Sequence, residues 1–179
     1  MLLILIVFLP SCSSVGKYRP DPKFATGVVE SINISNAVKL TNSQPSTFVH
    51  SLNFEGIEVD YNSFTQSLVD ALKIEYERNN VLVTDIAEKE LSVSVTGVSI
   101  SFGYANFRSH IIAEVKYGDD VIEKFETSRA TVGSLLMVKT SPTKPLNVAF
   151  RDLVEKIIMN KKIQNYINQI AHDTLEDDS

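Results

Sequence analysis

Apolar and polar residues alternate over several short stretches of this chain and recur at helical spacing over others. Ile32, Ile34, Val38 and Leu40 share one parity, interrupted by Asn36, which is the period of a half-buried strand. Phe48, Leu52, Phe54, Ile57 and Val59 around Gly56 predict an extended arm with a bend over 47–59. The period then changes. Tyr61, Phe64, Leu68, Ala71, Leu72 and Tyr76 fall on one helical face, with Ser63 and Gln66 spaced as a capping box and Asn79-Asn80 as the stop. A short strand over 81–84 follows.

Leu91, Val93 and Val95 point one way on odd positions, and Val98, Ile100 and Phe102 on even ones. One extra residue at Thr96-Gly97 keeps both sets on the same face, so a β-bulge is predicted there. Ile111, Ala113, Val115 and Tyr117 form the next strand. Gly118-Asp119-Asp120 turns the chain, and 121–130 returns as its hairpin partner. Pro145 suits a helix start. Leu146, Ala149, Phe150, Leu153 and Ile157 make the stripe of a second helix. After a break at Asn160, Ile163, Tyr166, Ile167 and Ile170 continue the spacing. Amphipathic helices beside a meander bury their stripes on one face of the sheet. The predicted fold is α+β: a two-layer sandwich of a mostly antiparallel four- to five-stranded sheet with two or three helices on one face.

The apolar run at the N-terminus stands outside this pattern. Residues 2–9 are too few for a membrane-spanning helix, which needs about 20, but suit the apolar region of a signal peptide. The run ends in Leu9-Pro10-Ser11-Cys12, and Cys12 is the chain's one cysteine. A small residue before cysteine, with Leu two positions earlier, resembles the lipobox of bacterial lipoproteins. The resemblance implies cleavage between Ser11 and Cys12, with a diacylglycerol and an N-acyl group on Cys12. More than one acyl chain gives stable anchoring, at about 0.8 kcal/mol per buried CH₂. The expected organisation is a signal peptide at 1–11, a Ser/Gly/Pro-rich tether at 12–23, one domain at 24–172 and an acidic tail at 173–179.

The net charge of −5, with 17 basic residues scattered along the chain, argues against nucleic-acid binding and against polybasic attachment to anionic lipid. His50, His110 and His172 lie far apart. No metal-ligand spacing, nucleophile elbow or glycine-rich phosphate loop occurs. His110 has solvent-facing parity, and His50 has the parity of Phe48 and Leu52. Glu75, Glu77 and Arg78 read as a solvated helix face, and Asp119-Asp120 as turn chemistry. A non-enzymatic protein without a metal or other cofactor is expected.

The lipobox, "FTQSLVDALKIEYERNNVLV", "LSVSVTGVSI", "HIIAEVKYGDDVIEKFE" and "LNVAFRDLVEKIIMNKKIQNYINQIA" together resemble the YajG-like family of small bacterial envelope lipoproteins. The element order is also similar to LptE-type lipoproteins, which help export lipopolysaccharide. The resemblance implies an envelope location and carries no catalytic residues. Ser13, a residue other than Asp after the lipidated cysteine, goes with outer-membrane sorting in that setting. Two functions follow as expectations. One is an accessory or scaffold docking a protein complex at the outer membrane. The alternative is a lipid or lipopolysaccharide carrier, which would want more inward apolar volume than an ordinary 44% hydrophobic content provides, and clustered basic residues. Leu135, Leu136, Met137 and Val138, flanked by Lys139 and Lys144, are either a strand end or lid closing one edge of the core or a candidate docking segment.

Overall fold

The alternation of Leu91, Val93 and Val95 with serines becomes the spine of the main sheet. The computed structural model of the chain describes residues 17–45, 49–52, 57–103, 106–132 and 143–169. Its elements are β1 (Lys17–Tyr18), a 3-10 turn (Pro22–Ala25), β2 (Lys39–Asn42), β3 (Val49–Leu52), β4 (Ile57–Asp60), α1 (Tyr61–Arg78), β5 (Glu90–Gly103), β6 (Asn106–Tyr117), β7 (Val121–Val132), α2 (Thr143–Ile158) and α3 (Lys161–Asn168).

The fold is α+β, with helices on a mainly antiparallel four-stranded sheet of order β2-β5-β6-β7. β5, β6 and β7 run antiparallel in turn, and β2 joins β5 in parallel. A small second sheet has the order β1-β4-β3. Lys17 and Tyr18, within the stretch read as tether, pair in parallel with Glu58 and Val59 there. The extended arm is an antiparallel β3–β4 pair, with Leu52 opposite Ile57.

Leu91, Val93 and Val95, then Val98 and Ile100, are all buried on the helix side, as are Ile111, Ala113, Val115 and Tyr117 of β6. The switch of parity is a register shift between Val95 and Gly97, the bulge expected at Thr96-Gly97. β2 stops at Asn42, so beyond Val93 the edge of β5 faces α1. There the Val95 N–H donates to Thr65 Oγ1 (3.0 Å) and the Val98 N–H to Tyr61 Oη (3.2 Å). Buried Thr65 and Tyr61 thereby satisfy backbone donors that no strand among the described residues covers. α1 and α2 meet through Phe64 and Phe150, edge to face at 5.8 Å. The opposite face of the sheet carries Ser92, Ser94, Ser99, His110, Glu114 and Lys124, and no helix among the described residues packs on it, as an antiparallel sheet allows.

Four local expectations need correcting. α1 is capped by Asp60, whose Oδ1 accepts from Asn62 N (3.0 Å) and Ser63 N (3.4 Å), not by Ser63. The expected Ile32–Leu40 strand shrinks to Lys39–Asn42, because the preceding chain is bound to α3: Asn168 Nδ2 donates to Asn33 O, and Asn36 Nδ2 to Ile167 O. The expected 81–84 strand is a single bridge, Val83 to Val38. Glu75 is fully buried rather than solvated. Its carboxylate accepts from Gly27 N (2.8 Å), Val29 N (3.1 Å) and Arg78 Nη1 (3.0 Å), pinning the N-terminal arm on α1.

Candidate interaction site

The most featured surface lies where α2 ends, between the β6–β7 turn and α3. Asn160 starts α3: its Oδ1 accepts from Lys162 N (2.9 Å) and Ile163 N (3.1 Å), two donors a helix start leaves free. Ile163 and Ile167 are buried, so Tyr166 faces the turn. Gly118 (φ 56°) and Asp120 (φ 63°) make that turn in left-handed backbone. A Cβ on Gly118 would make ordinary contact with the Tyr166 ring at 3.4 Å, so it is the left-handed backbone of the turn that favours glycine here. Tyr117 packs on Tyr166 with centroids 5.2 Å apart, Lys89 Nζ sits 5.2 Å from the Tyr166 centroid, and the Glu90 N–H donates to Tyr166 Oη (3.3 Å).

These residues border a groove of about 540 Å³ completed by Asp119, Lys162, Asn165 and Gln169. One ion pair holds its wall at Lys162, and a second braces the turn beside it. Lys162 Nζ meets Glu123 Oε1 at 2.5 Å, and that bond raises the Lys162 pKa. Lys116 Nζ meets Asp120 Oδ1 at 2.5 Å, and that bond lowers the Asp120 pKa. Burial, then the Glu123 charge, pushes the Tyr117 phenol up. Across Lys89 and Gln169 lies a second groove of about 390 Å³, lined by Asn36, Ala37, Leu82, Thr84, Ile86 and their neighbours. Leu82 is 65% and Ile86 90% exposed, so two large aliphatic side chains stand in water beside it.

This surface can bind but shows no acid–base or nucleophile geometry among the described residues. No group of three or more His, Cys, Asp or Glu among them could hold a metal ion. Asp120 serves the turn, as Asp119-Asp120 was read. His110 is half-exposed, with Nε2 3.8 Å from Glu126 Oε2. His50 lies on β3, and His172 lies outside the described residues. Ser11, Cys12, the segment Leu135, Leu136, Met137 and Val138, and the acidic tail also lie outside them. The Leu82–Ile86 surface was missed from sequence, although Ile86 stands alone among polar residues in "TDIAEKE". A scan against protein-family models finds no match to this chain, and a search of curated proteins finds none either.

Proposed function

We propose that this protein is a non-enzymatic envelope lipoprotein of the YajG-like kind, held at the outer membrane through lipidated Cys12, and that its domain docks a protein complex there. The observation that carries the docking is the exposed pair Leu82 and Ile86 beside the two grooves, at the far end of the domain from its point of entry. Tyr18 marks that entry. Its hydroxyl donates to Asn147 in the first turns of α2, and its ring lies 6.2 Å from Phe64 in the first turn of α1. The grooves sit at the other end of α2, about 17 Å from Asn147 at 1.5 Å per residue. Cys12 is five residues before Lys17, a reach of roughly 17 Å at full extension. A lipid on Cys12 thus keeps the Tyr18 end near the bilayer and turns Leu82 and Ile86 toward partners in the periplasm.

A photo-crosslinking amino acid at Ile86, activated in intact cells, tests this. A discrete protein adduct is expected. Leu82→Ser, placed in the same crosslinking chain, should remove it while the melting temperature stays put, since exposed positions rarely shift stability beyond ~0.5 kcal/mol. Adducts to lipid alone would replace docking by the carrier function, and a crosslinker that labels nothing would overturn the docking surface.

A further inference from the structure

β7 is the last strand in the order of the main sheet, and its outer edge pairs with no other strand among the described residues. Two contacts show which backbone groups face outward. Arg129 O accepts from Ser109 Oγ (3.3 Å), the residue opposite it on β6, so odd positions turn their backbone inward. Glu126 O accepts instead from Lys156 Nζ (2.7 Å) of α2, so even positions turn theirs outward. Ile122, Lys124, Glu126 and Ser128 therefore present N–H and C=O groups along one side of a 12-residue strand. A long open edge is a template for another strand.

We propose that the strand it takes is β7 of a second copy, paired antiparallel about a two-fold axis at Phe125, joining two four-stranded sheets into one. The charges favour this register over its two neighbours, by sharing between two copies the Lys124–Glu126 pair that one chain already makes at 2.7 Å. An axis at Lys124 sets Lys124 against itself, and an axis at Glu126 sets Glu126 against itself. Both place like charges directly opposite, which destabilises a strand pair. The axis at Phe125 lies between them and sets Lys124 against Glu126 twice. Even positions then face even positions, which are the ones whose backbone turns outward, and at Glu126 the incoming strand displaces Lys156 Nζ from the carbonyl.

α2 fits the same axis independently. Thr127 Oγ1 donates to Ala149 O (3.0 Å), which fixes the level of α2 over β7. From Thr127 to Phe125 is ~6.8 Å of strand, equal to four or five residues of helix, so the axis passes near Leu153 and Val154. Val148 and Met159 lie five residues to either side of that pair. Both are exposed, and both share the outer stripe of Asp152, which reaches across to Arg129 of β7. The two-fold axis brings Val148 of one copy level with Met159 of the other and covers both. The pairing is isologous and closes at two copies.

Sedimentation equilibrium of the full chain in density-matched detergent is the test. The wild type should be a dimer in the micromolar range. Lys124→Glu and Glu126→Lys, both at exposed positions, should each give monomers, since each sets like charges opposite one another. Mixing the two variants should restore a dimer, because both acids of the first variant then meet both lysines of the second; this rescue also shows that both variants are folded. A monomeric wild type, including one that captures an extended peptide of another protein on β7, overturns the proposal. So does a dimer that both charge reversals leave intact.

Discussion

Tyr76 is the residue at which burial is least balanced by bonding. It is fully buried in the core, yet its hydroxyl has no hydrogen-bond partner among the described residues. Glu75 beside it is the opposite case, a buried carboxylate with three donors on it. Burial of an unpaired hydroxyl costs about 1–3 kcal/mol by mutational measures. Tyr76→Phe should therefore hold or raise the melting temperature, with a gain of about 1 kcal/mol. A loss of similar size would show that the hydroxyl is bonded. The same burial raises the phenol's pKa above its ordinary value of 10.0. The raised folded value means stability is intact below about pH 10 and is lost as pH climbs through the folded pKa, because the unfolded chain sheds the proton first. Alkaline denaturation followed by circular dichroism should be shallower for Tyr76→Phe than for the wild type.

At the scale of elements, β5 shows how much a sequence can specify. The parity switch, the bulge and the burial of every apolar residue from Leu91 to Ile100 were legible, because a half-buried strand repeats every two residues. The stripes of α1 and α2 were legible for the same reason at helical period. What escaped depends on partners far along the chain. Ile32 and Ile34 have strand spacing, but Asn168 and Ile167 take the hydrogen bonds of that stretch. Glu75 looks solvent-facing until Gly27 and Val29 fold over it. Tyr166 meets Glu90 from 76 positions away, so the groove has no local signature. The bulge offers a direct check. Deleting Thr96 removes the extra residue and leaves Val95, Val98 and Ile100 in plain alternation, so the variant should fold with a melting temperature within a few degrees of the wild type. Deleting Ser94 instead leaves Leu91, Val93, Val98 and Ile100 in alternation but turns Val95 outward, a loss of about 1.5–3 kcal/mol of burial, and should lower the melting temperature well below that of the Thr96 deletion. The opposite ranking would mean that the bulge itself, not the parity it preserves, holds the sheet.

At the scale of the whole molecule, the domain has an entry end at Tyr18 and a groove end at Tyr166, and what attaches the first decides what the second can meet. No helix among the described residues is long and apolar enough to cross a membrane. The scattered basic residues and the net charge of −5 give little attraction to an anionic bilayer. On the proposed reading, membrane attachment therefore rests on the acyl chains of Cys12, at about 0.8 kcal/mol per buried CH₂. Detergent-phase partitioning of cell envelopes should place the wild type with the membrane proteins. Cys12→Ser should move it to the aqueous phase or leave an uncleaved precursor, and any released domain should melt at the wild-type temperature. Mass spectrometry of the wild type supplies the decisive arm: an N-terminal Cys12 carrying diacylglycerol is expected, and an unmodified Cys12 thiol would remove both the anchor and the orientation that directs Leu82 and Ile86 away from the bilayer.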